Sequence, residues 1–189
     1  KLTLSGASTF TGGTTLTSGT LNINSAGVAG VSGPLGNSAV ANTGNTFTIN
    51  GGTIDNTSAT AKILLNVNPI TLGGNFAFST SGGTALNNLT LPGAISMAAD
   101  RTVTLNGLGA LTLTGLLTNT ADSVRTLTVN NGTGTGATSL LTIGSYNLTS
   151  GATARTNIIN GTGNVAITGV VGNGVTAGSG LTYSGSGKL

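Results

Sequence analysis

Apolar residues along this chain come in short alternations, two of them flanking a single Thr, Asn or Ala. LTL at 2–4 sets the pattern, and LNI (21–23), FTI (47–49), ITL (70–72), FAF (76–78), LTL (89–91) and VTL (103–105) repeat it. LTL (111–113), LTV (127–129), LTI (141–143), YNL (146–148), VAI (165–167) and LTY (181–183) carry it to the far end. A period of two with a polar middle residue predicts half-buried β-strands of very short length. Between them stand SGG, NGG, NNG, TGTG and SGSG, which punctuate turns. No stretch offers helical spacing with caps, apart from a short turn near 93–100, so the chain reads as all-β.

Two all-β architectures fit short strands: a sandwich or barrel, and a β-solenoid. Sandwich strands run to about five or six residues, with turn signals about every 8–12. Here the strands are shorter and the motifs repeat. VTLNGLGALTLTG (103–115) aligns with LTYSGSGKL (181–189) continued by TLSG (3–6), so that Leu105 meets Tyr183, Gly107 meets Gly185, Gly109 meets Gly187 and Leu111 meets Leu189. The second copy is complete only if the end of the chain runs on into its beginning. That reading makes residues 1–189 a single solenoid segment and about one unit of a longer array, with the interval of 187 from Lys1 to Lys188 as its period. At about 20–25 residues per coil, it predicts roughly eight or nine coils, stacked about 4.8 Å apart, with uncapped ends.

Composition agrees with a thin, layered interior. Hydrophobic residues make up 37% but aromatics only 3%, and 33 glycines accompany only three prolines. Leu, Ile, Val and Ala must therefore fill the core, with glycine at the corners. Charged residues amount to 5%, against roughly 25% in ordinary soluble domains, which leaves Thr, Ser and Asn to solvate the surface. The formal net charge is +3, but Lys1, Lys62, Arg101, Arg125, Arg155 and Lys188 stand singly along the chain, two of them beside Asp100 and Asp122. Without a basic cluster, no nucleic-acid partner is expected. Cysteine is absent, which rules out disulfides and thiolate metal sites. No run of 18 apolar residues occurs, so no membrane span is expected, and any export signal is expected outside this chain.

The first stretch, LTLSGASTFTGGTTLTSGTLNI, resembles the β-strand repeat associated with bacterial autotransporter passengers, of the form LTLxGxNTYTGxTxVxxGTLxI. Leu2, Leu4, Gly6, Thr9, Phe10, Thr11, Gly12, Thr14, Leu16, Gly19, Thr20 and Leu21 match it. Ser8 replaces the usual Asn and Phe10 the usual Tyr. About 23 residues carry the resemblance, and the remainder shares only its style. The resemblance implies a right-handed parallel β-helix in a secreted or surface-displayed bacterial protein, often a large adhesin. The paired amphipathic strands of an outer-membrane barrel are not found here, so the export route does not carry over.

Residues able to do chemistry are scarce. There is no His and no Glu, and the three Asp are Asp55, Asp100 and Asp122, so no catalytic, cofactor or metal site is predicted and the chain is not expected to be an enzyme. Asp100 and Asp122 are 22 residues apart, about one coil, and could stack as a carboxylate pair; the alternative is that each sits at a turn beside Arg101 or Arg125. GGTID (51–55) lacks the middle glycine of a calcium repeat and is single. NGTGTG (131–136) and VGNGVTAGSG (171–180) lack the Lys-Ser/Thr ending of a phosphate loop. T-x-T pairs at Thr9/Thr11, Thr46/Thr48, Thr102/Thr104, Thr112/Thr114 and Thr126/Thr128 suggest an ice-binding ladder, but their spacing is uneven.

The function expected is structural: a repeat segment of an extracellular bacterial stalk, adhesin or filament. Its partners would be adjacent repeats or copies of itself. Leu2 and Leu4 would pair end to end with Leu181, Tyr183 and Leu189, while Gly6, Phe10, Gly12, Gly19 and Leu21 shape the motif. The alternative is a module binding glycans or a host surface, through loops 25–44 and 170–180. A polysaccharide-active enzyme or an ice-binding protein ranks below both.

Overall fold

The computed structural model describes residues 1–37, 44–81, 87–136 and 138–189. Every strand pair in it is parallel, and the strands wind into a β-solenoid with no helix among the described residues. The first face stacks eight strands in chain order: Leu2–Leu4, Thr20–Ile23, Thr53–Asp55, Phe76–Ser79, Arg101–Asn106, Thr126–Asn131, Thr156–Asn160 and Gly180–Tyr183. A second sheet bends into two faces, because the long strands Ala110–Asn119 and Leu140–Asn147 pass through both. Their pairing shifts register between Leu113 and Leu116, which is where they turn the corner.

On the second face, Lys62–Ile63, Leu89–Leu91 and Asn164–Ile167 join the first halves of those long strands. Thr14–Leu16, Phe47–Ile49, Ile70–Leu72, Ile95–Met97 and Val171–Gly172 join the second halves on the third face. Strands on all three faces occur in five coils, starting at Lys62, Leu89, Ala110, Leu140 and Asn164. This corrects the eight or nine coils expected from length. Among the described residues, the chain before Lys62 makes strands on the first and third faces only, so those passes do not show full coils. The turn expected near 93–100 is also replaced, by the third-face strand Ile95–Met97.

Inward residues stack on their equivalents one coil away. Leu89, Leu111, Leu141 and Val165 form one column of the second face. Phe47, Ile70, Ile95, Leu117 and Tyr146 form one on the third. Leu21, Ile54, Phe78 and Leu105 form one on the first. All of these are buried, and each contributes about 1.5–3 kcal/mol of apolar transfer. Thr90, Thr112 and Thr142 alternate outward between them, as a pleated, half-buried surface requires.

Buried asparagines tie the irregular segment 25–37 to the stack. Asn66 Nδ2 donates to the Ser32 carbonyl at 2.7 Å, its Oδ1 accepts from Gly30 N–H at 2.9 Å, and Asn68 Nδ2 donates to the Leu35 carbonyl at 3.2 Å. A buried amide used this way replaces strand pairing that the segment lacks.

The corner from first to second face is built on glycine. Leu105-x-Gly107-x-Gly109-x-Leu111 recurs as Ile159-x-Gly161-x-Gly163-x-Val165 and as Tyr183-x-Gly185-x-Gly187-x-Leu189. Gly161 adopts φ +108°, and a Cβ there would lie 2.0 Å from the Val129 carbonyl oxygen. Side chains are excluded because the backbone of the neighbouring coil passes through that space. Sequence alignment pairs the first copy with the last; the middle one joins them only in the structure.

Candidate functional site

Charged side chains gather where sequence spacing had left them apart. Asp100, Arg101, Asp122, Arg125 and Arg155 all lie at the corner between the third and first faces, on three consecutive coils. Asp100 accepts from Thr126 N–H at 3.0 Å and stands 3.7 Å from Arg125. Asp122 is ion-paired with Arg155, whose side chain is only 8% exposed. Each acid sits in a connection between strands, as the second sequence reading has it, and its ion pair is with an Arg of the next coil rather than with the Arg nearest in the chain. The next coil is only about 4.8 Å away, close enough for a side chain at this corner to reach it. The two carboxylates do not stack on each other, since each is engaged by the coil above. Three Arg interleaved with two Asp leave a nearly balanced strip rather than an anionic-ligand patch.

Asp55 is different, being only 2% exposed. It accepts from Ser81 N–H at 3.1 Å and from the Ser81 hydroxyl, and Lys1 Nζ lies 3.4 Å away. Residues of three levels of the first-face stack thus converge on one carboxylate. Among the described residues no group of three or more His, Cys, Asp or Glu converges as a metal cage would.

The motif residues form one circuit that uses two faces. Leu2 and Leu4 pair beside Leu21 and Ile23 on the first face. Gly19 turns the chain back onto that face with φ +76°, while Gly6 and Gly12 lie in the open connection between strands, where an added Cβ would touch nothing. Phe10 is 44% exposed; its carbonyl accepts from Asn37 N–H at 2.9 Å, and a Cβ on Gly36 would strike its ring.

The proposed pairing residues stand at opposite ends of the stack: Leu2 and Leu4 at one, Leu181, Tyr183 and Leu189 at the other. Val165 N–H donates to the Lys188 carbonyl at 2.8 Å, which sets Leu189 in the column of Leu111, Leu141 and Val165. Leu111 and Leu189 are therefore equivalent, as the sequence alignment expects. Other parts of that alignment do not hold in space. Tyr183 stacks on Ile159 rather than in the column of Leu105, and Leu2–Leu4 lies on the first face, not the second-face position of Leu111–Leu113. The T-x-T pairs scatter over three faces and a connection, and no face collects them into a two-column array.

One concavity was not foreseen. A groove of about 560 Å³ runs along the corner between first and second faces, over three coils. Ser79, Thr80, Ser81, Asn106, Gly107, Leu108, Thr133 and Gly134 line it, with no charged side chain among the described residues. Asn106 Oδ1 accepts from Thr133 N–H at 3.0 Å, which fixes the side-chain amide. The only sequence signal was the Asn-Gly corner at 106–107, which reads as turn chemistry. Of the loops expected to bind ligands, residues 38–43 lie outside the described residues, and 170–180 supplies the short third-face strand Val171–Gly172.

No family model, curated protein or solved structure matches the chain. Function must therefore be argued from the geometry itself.

Proposed function

We propose that this solenoid is a structural segment of an extracellular bacterial stalk, adhesin or filament, serving to give length, stiffness and surface display. The observation that carries it is the unbroken stacking of the coils. Each strand bonds only to the coil above and below, and apolar columns run through several successive coils, as from Phe47 to Tyr146 on the third face and from Leu89 to Val165 on the second. Such an assembly is quasi-one-dimensional and grows by adding coils without redesign. The ionic groups support the same reading, since Asp55, Asp100 and Asp122 all link separate coils. Extracellular display rests on the autotransporter-like motif at residues 2–23 and on a chain free of cysteine.

Neighbouring coils, from the same chain or from another copy, would meet Leu2 and Leu4 at one end and Leu181, Tyr183 and Leu189 at the other. Leu2 and Leu189 are exposed where their columns stop. Electron microscopy of the segment and of a covalent tandem of two segments tests this. A continuous rod that lengthens by about 4.8 Å per added coil supports the proposal. Separate globules joined by flexible linkers would overturn it.

A further inference from the structure

We propose that the corner groove between the first and second faces is a binding site for a neutral oligosaccharide. This goes beyond the structural role above and does not depend on it. Its volume of about 560 Å³ falls within the roughly 300–1,000 Å³ of small-ligand sites. Its chemistry selects the class of ligand. Serine, threonine and asparagine supply its polar groups, and among the described residues no charged side chain lines it, so nothing on its walls favours an ionic ligand over a neutral one.

Two lining residues are held in fixed orientations by their neighbours. The Ser81 hydroxyl gives its proton to Asp55, and Ser81 N–H donates to the same carboxylate at 3.1 Å. Ser81 Oγ can therefore only accept from a ligand. Asn106 Oδ1 is taken by Thr133 N–H, which leaves its Nδ2 as an oriented donor. An acceptor and a donor in one groove match a sugar's hydroxyls, one donating to Ser81 and another accepting from Asn106. Leu108 supplies an apolar surface for the C–H face of the ring, and Gly107 and Gly134 present bare backbone. The buried Asp55 thus acts on the groove as a positioning residue, through Ser81, at no cost in ligand-induced ordering.

The test titrates the purified chain with malto-, cello-, xylo- and chito-hexaose, and with a hexagalacturonate as the acidic probe, monitored by calorimetry and ligand-observed NMR. Asn106→Asp keeps an oxygen for Thr133 N–H and exchanges the donor for a charged acceptor, while Leu108→Ala removes the apolar surface without adding charge. Binding of at least one neutral hexaose, weakened about tenfold or more in either variant with the unfolding midpoint retained, supports the site. Thr112→Ala, on the second face away from the groove, should bind as the parent does. The proposal is overturned if no neutral hexaose binds at about 10 mM, if the acidic probe binds better than all of them, or if both groove variants bind like the parent. Should Asn106→Asp fail to fold, Leu108→Ala decides by the same criterion.

Discussion

Asp122 pairs with Arg155, 33 residues along the chain, and not with Arg125 three residues away. Arg155 is nearly buried and Asp122 largely exposed, with side-chain exposures of 8% and 78%. The pair therefore matters chiefly by satisfying a guanidinium that water reaches poorly.

Asp122→Asn is expected to lower stability by about 1 kcal/mol, screened by the exposure of the carboxylate. Asp100→Asn, whose partner Arg125 is 23% exposed at 3.7 Å, should cost less, under about 0.5 kcal/mol. Urea unfolding of both variants checks the order, and equal losses would contradict the burial argument.

Gly161→Ala and Gly19→Ala separate clash from backbone strain. Both glycines have positive φ, but a Cβ at 161 runs into the Val129 carbonyl whereas one at 19 meets nothing within 4 Å. Gly19→Ala should cost about 1 kcal/mol from conformation alone, and Gly161→Ala clearly more. Thermal melts of the two proteins decide it.

Leu141→Ala removes a side chain stacked between Leu111 and Val165. A loss of about 2–5 kcal/mol is expected, against under about 0.5 kcal/mol for the outward neighbour Thr142→Ala. Chemical denaturation would refute the column picture if the two variants behaved alike.

Burial holds the Tyr146 hydroxyl well above the usual phenol range, and Asn157 only partly offsets it. The folded protein therefore keeps this group neutral at pH values where the unfolded chain, with phenols near about 10, has already lost the proton. Its contribution to stability is full below about pH 10 and falls as pH rises above it. Tyr146→Phe should flatten that loss. Unfolding midpoints measured between about pH 8 and 12 test the difference, with equal slopes for parent and variant counting against it.

Much of the architecture was legible because strand periodicity is local. All thirteen three-residue alternations read from the sequence overlap strands, from Leu2–Leu4 to Gly180–Tyr183. The strands missed include Ile95–Met97, which carries the same alternation in ISM, and Thr53–Asp55 and Val171–Gly172, where Asp or Gly takes the place of the second apolar residue. Chain length overstates the coil count because residues 25–37 form a tethered flap instead of a second-face strand.

What the sequence determined by itself was the class of fold: alternation with outward Thr demands half-buried strands, and glycine at fixed spacing demands corners. Even the equivalence of Leu111 and Leu189 could be read from it. What only the tertiary structure decided was which residues one coil apart come together. Connections vary in length, so Leu111 to Leu141 spans 30 residues and Leu141 to Val165 spans 24. That variation hides the register from any fixed period. It is the reason Asp122 finds Arg155, Asp55 finds Ser81, and Asn106 meets Thr133 at the rim of a groove that no stretch of sequence announces.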